Sequence, residues 1–101
     1  MIKSPKTILR LLRSKKTSVK VHALGKEEGL KGWVDYRYGV IHIEHTQTIP
    51  LRVSTLIHEC LHLLNPQYQK KEHEYIIEGV EFEVVAKLSK KEYNLLKKYV
   101  A

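Results

Sequence analysis

Cysteine is scarce in this chain: Cys60 stands alone among 101 residues. One thiol excludes an intramolecular disulfide framework and a cysteine-rich zinc site, so any metal would have to be held by histidine and carboxylate. No apolar run is long enough to span a bilayer, and the opening Met1-Ile2-Lys3-Ser4-Pro5-Lys6 lacks the apolar core and cleavage site of a signal peptide. The expected location is therefore the cytoplasm. Aromatic residues are few and mostly tyrosine, and they are not interleaved with arginine as a single-strand-binding platform requires. Nucleic acid is accordingly not the expected partner. Acid is also short, 11 residues against 18 Lys and Arg, which leaves a net charge of +7. The cations gather at the two ends, Lys3 to Lys20 and Lys87 to Lys98, a bias that favours anionic partners or reflects lysine-rich solvated helix faces.

What remains is ordinary for a globular protein, with 43% hydrophobic and 29% charged residues, and the length suits a single domain over residues 1–101. Ser4-Pro5 starts a short amphipathic helix whose apolar face is Ile8, Leu9, Leu11 and Leu12. Thr17 to Leu24 alternates as a half-buried strand, and Gly25 to Gly29 breaks it as a loop. Leu30 to Tyr38 and Val40 to His45, joined by a turn at Arg37-Tyr38-Gly39, read as an antiparallel hairpin. In its second strand Ile41 and Ile43 face the core, while His42 and Glu44 face out. His42 and His45 are read as surface histidines. A long helix follows from Thr48 or Ile49, with Pro50 in its first turn and Asn65-Pro66 as its stop. A second runs from about Lys70 to Leu88. Ser89 to Glu92 forms a capping box that opens a short terminal helix.

The chemistry is concentrated in the first long helix, in His58-Glu59-Cys60-Leu61-His62. Two histidines four residues apart share one helix face with the glutamate beside them, the HExxH arrangement that holds zinc next to a general base. Cys60 projects the other way and is expected to pack in the core. Catalytic zinc takes three protein ligands and leaves a position for water, so a third ligand must come from elsewhere. The loop Asn65 to Gln69 is so short that the next helix must return antiparallel. Counting helical rise from His58 and His62 lands near His73 and Glu74, with Glu78 one turn further and Glu81 about two turns beyond. Glu74 is the favoured third ligand, and Glu78 the acceptor that would hold the Nδ1–H of a ligand histidine. His73 is a rival from the apolar face. Glu81 is another, because eighteen residues separate it from His62, a spacing familiar in aminopeptidase-type zinc enzymes.

With zinc in place, Glu59 would take a proton from a water on the metal, and the ion would polarise a peptide carbonyl. A substrate could pair with a free edge of the strand Val40 to His45 by β-augmentation. Hairpin, HExxH helix, short loop and glutamate-bearing helix together resemble gluzincin-type zinc metallopeptidases. At this length the chain is similar to the minigluzincins, small soluble relatives of the catalytic cores of CAAX-type membrane proteases, and to short prokaryotic and phage proteins with an HExxH helix followed by a Glu-rich helix. The resemblance covers roughly residues 30 to 88, and His58, Glu59 and His62 are its specific part. It implies an α+β, zincin-like minimal domain: a three-stranded, mainly antiparallel sheet packed on the HExxH helix and the glutamate-bearing helix, with short terminal helices. It also implies zinc as cofactor, a peptide or protein substrate, and endopeptidase activity held latent, zymogen-like, by the C-terminal segment 89–101. A mobile terminal helix would allow either a monomer or a helix-swapped homodimer. No acidic residue follows Glu81 by four positions, whereas Glu78 does follow Glu74. The competing readings are a non-catalytic basic module for nucleic acid or protein, in which the HExxH site is structural or accidental, and a metal hydrolase acting on something other than peptides.

Overall fold

Ile41 and Ile43 are fully buried, and the strand that carries them, β3 (Val40–Glu44), lies in the middle of the sheet. The computed structural model describes residues 1–25 and 29–101, so the middle of the expected Gly25 to Gly29 loop lies outside the described residues. In chain order the elements are α1 (Pro5–Arg13), β1 (Ser18–His22), β2 (Gly32–Asp35), β3, α2 (Ile49–Leu64), α3 (Glu74–Lys87) and α4 (Lys90–Lys97). Two short 3₁₀ turns, Pro66–Tyr68 and Lys71–His73, link α2 to α3.

The sheet is mixed, which corrects the expected mainly antiparallel arrangement. β2 and β3 form the antiparallel hairpin, with Trp33 opposite His42, but β1 pairs with β3 in parallel, with Val19 opposite Ile41. Alternating side chains read the same whichever way a neighbour runs, so orientation is decided by the connections. Here the hairpin turn sends β3 back between β1 and β2. Gly39 makes this closure possible: it has a positive φ of 65°, and a Cβ there would lie 2.2 Å from the Lys16 carbonyl oxygen. Its own carbonyl accepts from the Ser18 amide at 3.0 Å, which starts the parallel pair.

Helix α2 is the hub, packing against α1, α3, α4, β2 and β3. Thr48 is its N-cap, Pro50 sits in the first turn, and Asn65 ends it with Pro66 unable to continue. Val53, Leu56, Ile57, Cys60 and Leu61 are buried along it and meet Ile41 and Ile43 from the sheet, Ile8 from α1 and Leu96 from α4 in one core. Cys60 is thus a packing residue, and burial pushes its thiol pKa up. The capping box forms as expected, with the Glu92 amide donating to Ser89 Oγ and the Ser89 amide to Glu92. Arg52 ties the C-terminus to the front of α2, donating to the carbonyls of Val100 at 2.8 Å, His45 at 2.6 Å and Gln47 at 3.0 Å.

Asn65 does more than stop α2. It is 1% exposed, accepts from the Ile2 amide at 2.8 Å, and donates to the carbonyls of Ile2 and Leu61. Asn65→Ala is expected to destabilise the protein by about 1–3 kcal/mol, because the bond to Leu61 is buried, and to free the first residues for proteolysis. Denaturant titration and limited proteolysis measure the two effects.

Candidate metal centre

His58, Glu59 and His62 form the group expected from the i, i+4 spacing: one potential ligand atom from each lies within 4.8 Å of the others. Glu59 and His62 are buried and His58 is half-buried, and His58, Glu59 and Glu74 line a cleft of about 530 Å³. The walls come from Lys31 and Gly32 on the β2 side, Leu51 on α2, and Glu78, Phe82 and Val85 on α3.

Glu74 joins this group from the first turn of α3. Its carboxylate meets Nε2 of His58 with one oxygen and Nε2 of His62, at 3.1 Å, with the other. On the far side of the His58 ring, Nδ1 donates to Glu81 at 2.7 Å, and the other Glu81 oxygen accepts from Ser54. The position expected for Glu78 is therefore filled by Glu81, while Glu78 lies exposed on the cleft wall. Counting rise along the axis misses this because side chains lean toward the N-terminus of their own helix. In an antiparallel pair, His58 leans toward Glu81 while Glu81 leans back toward His58. His73 stands edge-on to Tyr68, with centroids 5.6 Å apart, and its buried Nδ1 has no partner among the described residues.

The charges are strongly coupled. Burial alone would push the His58 pKa down, but its bond to Glu81 and the negative charges of Glu59, Glu74 and Glu81 lift it to about 9. Burial pushes Glu59 up to about 7, with Glu74 and Glu81 adding to the rise and His58 opposing it. His62 is lowered, mainly by burial. Glu81 is lowered because the His58 and Ser54 bonds outweigh its burial. Tyr36 was not singled out from the sequence. Burial and the charges of Glu59 and Glu74 push its phenol up to about 12, which marks it as a neighbour of the acids.

This donor set fits a divalent cation. With Nδ1–H of His58 held by Glu81, the lone pair of the neutral ring is at Nε2 and faces a Glu74 oxygen. Two acceptors in contact need positive charge between them, from a proton on Nε2 or from a metal ion. Two imidazoles with carboxylates are donors that divalent first-row transition metals accept.

The backbone around Glu59 is equally specific. A Cβ on Gly32 would lie 2.6 Å from Thr55 Cγ2 and 3.3 Å from a Glu59 carboxylate oxygen, so only glycine lets β2 approach this closely. Gln47 fixes that approach, donating to the Lys31 and Glu44 carbonyls and accepting from Thr55. The strand edge beside the site belongs to β2. The expected free edge on β3 does not exist, because both sides of β3 are paired. Residues 89–101 do not line the cleft; Leu96 and Val100 are fully buried in the core. Among the described residues no helix is long and apolar enough to cross a membrane. Comparison with known proteins found no matching family, no matching curated protein and no matching solved structure.

Proposed function

We propose that this chain is a zinc-dependent peptidase of the gluzincin type. The observation that carries the reading is the convergence of His58 Nε2, His62 Nε2 and the Glu74 carboxylate beside the buried Glu59, with His58, Glu59 and Glu74 lining a cleft. His58, His62 and Glu74 would hold the ion, which when bound acidifies a water molecule and polarises a carbonyl. Glu59 is the general base, and a carboxylate pushed up to about 7 is matched to proton transfer near neutral pH. Glu81 and Ser54 orient the His58 ring. An extended peptide would pair along the outer edge of β2, which is unpaired among the described residues and is brought to the site by Gly32.

The test is metal analysis of the purified chain together with hydrolysis of a quenched-fluorophore peptide library. The reading requires one zinc per chain, loss of that zinc in His58→Ala, and chelator-sensitive cleavage. Zinc-loaded protein that cleaves no peptide would overturn it.

Zinc uptake should also depend on pH in a specific direction. The metal-free His58 is protonated below about 9, so at pH 7 a proton must leave as the ion enters. Affinity is expected to rise about tenfold per pH unit from 7 toward 9 and then level off. Competition titration against a chromophoric chelator, corrected for the chelator's own protonation, measures that slope.

A second reading has one observation in its favour. α1 packs against α4, so the two lysine-rich ends of the chain are neighbours in space, which suits a basic module for an anionic partner. Affinity for nucleic acid that does not change with salt would remove it.

A further inference from the structure

The outer face of the sheet, on the side away from the core, carries two histidines in contact. His22 ends β1, and His42 lies diagonally across on β3. His22 Nε2 and His42 Nδ1 are 2.8 Å apart, with the rings nearly edge-to-face and their centroids 5.1 Å apart. Trp33, opposite His42 on β2, stacks flat on it at 4.1 Å and 7°, holding that ring in place. We propose that His22 and His42 form a transition-metal site that takes copper(II), separate from the group on α2.

The spacing is the main argument. At 2.8 Å the two ring nitrogens are hydrogen-bonded, the N–H of one donating to the lone pair of the other, so both already face a common point where an ion can replace the shared proton. Imidazole suits copper, nickel and zinc, and among divalent first-row ions copper(II) binds such a site most tightly. The remaining positions open to solvent, since His22 is exposed and His42 half-buried. Burial, then His22 and Lys20, lower the His42 pKa against the opposing charge of Asp35, which keeps that ring neutral at pH 7, and the proton it shares with His22 leaves as the ion enters. Lys20, in register with His42, is the cation on this face, and its flexible stem lets the ammonium swing into water.

Trp33 is the only tryptophan and touches a ligand ring, so the site has its own reporter. Full-length protein preloaded with one equivalent of Zn²⁺ is titrated with Cu²⁺ while tryptophan emission is followed. Quenching should saturate near one further equivalent. His22→Ala, which leaves the stack on Trp33 untouched, should weaken it by at least about tenfold, as should His42→Gln. His58→Ala should leave it unchanged. The proposal is overturned by absent quenching, by equal Cu²⁺ affinity in the His22→Ala and His42→Gln variants, or by loss of the effect in His58→Ala.

Discussion

Glu59→Gln is expected to reduce peptide hydrolysis by about 10²–10⁴-fold while zinc stoichiometry stays at one per chain. Glutamine keeps the shape of the side chain beside Gly32 but cannot accept the proton. The same variant should be more stable than the parent when both are metal-free, in a pH window set by Glu59 itself. Its folded pKa of about 7 lies above the ordinary 4.5, so ionisation is penalised in the folded state. Below 4.5 the carboxyl is neutral both folded and unfolded, and the variants should match. Between 4.5 and about 7 the parent loses stability relative to Glu59→Gln, and above 7 the gap stays constant. Thermal melts in chelator at pH 4 and pH 8 measure it. Loss of activity with equal or greater stability separates the base from a merely structural carboxylate; unchanged activity would remove Glu59 from the chemistry.

Local punctuation explains what was legible in the sequence. Thr48, Pro50, Asn65 and Pro66 bound α2 because capping and proline sterics act over a few residues, and the i, i+4 spacing of His58 and His62 puts them on one face of that helix. The alternation of β3 likewise placed Ile41 and Ile43 inside. What could not be read depends on distant pairing. The parallel partnership of β1 with β3 leaves no trace in either strand's pattern, and with it were hidden the place of β2 at the edge of the described sheet and the His22–His42 pair. Gly32 offered a signal that passed unused: a glycine inside a strand pattern marks a close backbone approach, and here the neighbours are Thr55 and Glu59. The start of α3 at Glu74, later than the expected Lys70, reflects the 3₁₀ turn Lys71–His73, which apolar periodicity does not distinguish from helix.

Three glutamates on α3 offer the sharpest test of the site, because axial counting and side-chain geometry rank them differently. Glu74 touches both Nε2 atoms, Glu81 holds Nδ1 of His58, and Glu78 lies exposed on the cleft wall. Glu74→Ala removes a ligand and is expected to lower zinc affinity by more than about 100-fold, with activity lost at ordinary zinc concentrations. Glu81→Ala leaves the three ligands but frees the His58 ring to rotate and to change tautomer, and should cost about 10–100-fold in affinity. Glu78→Ala should leave affinity unchanged. Glu81→Gln adds a finer readout: it can still accept from Nδ1–H, so orientation is kept while one negative charge near His58 is removed. Its metal-free His58 pKa should fall below about 9. The break in the pH dependence of zinc affinity should move down with it, a shift that loss of packing alone would not produce. If Glu78→Ala weakened zinc as much as Glu81→Ala, the two helices would have to sit in a different register, with the axial count right and the observed pairing of His58 with Glu81 wrong.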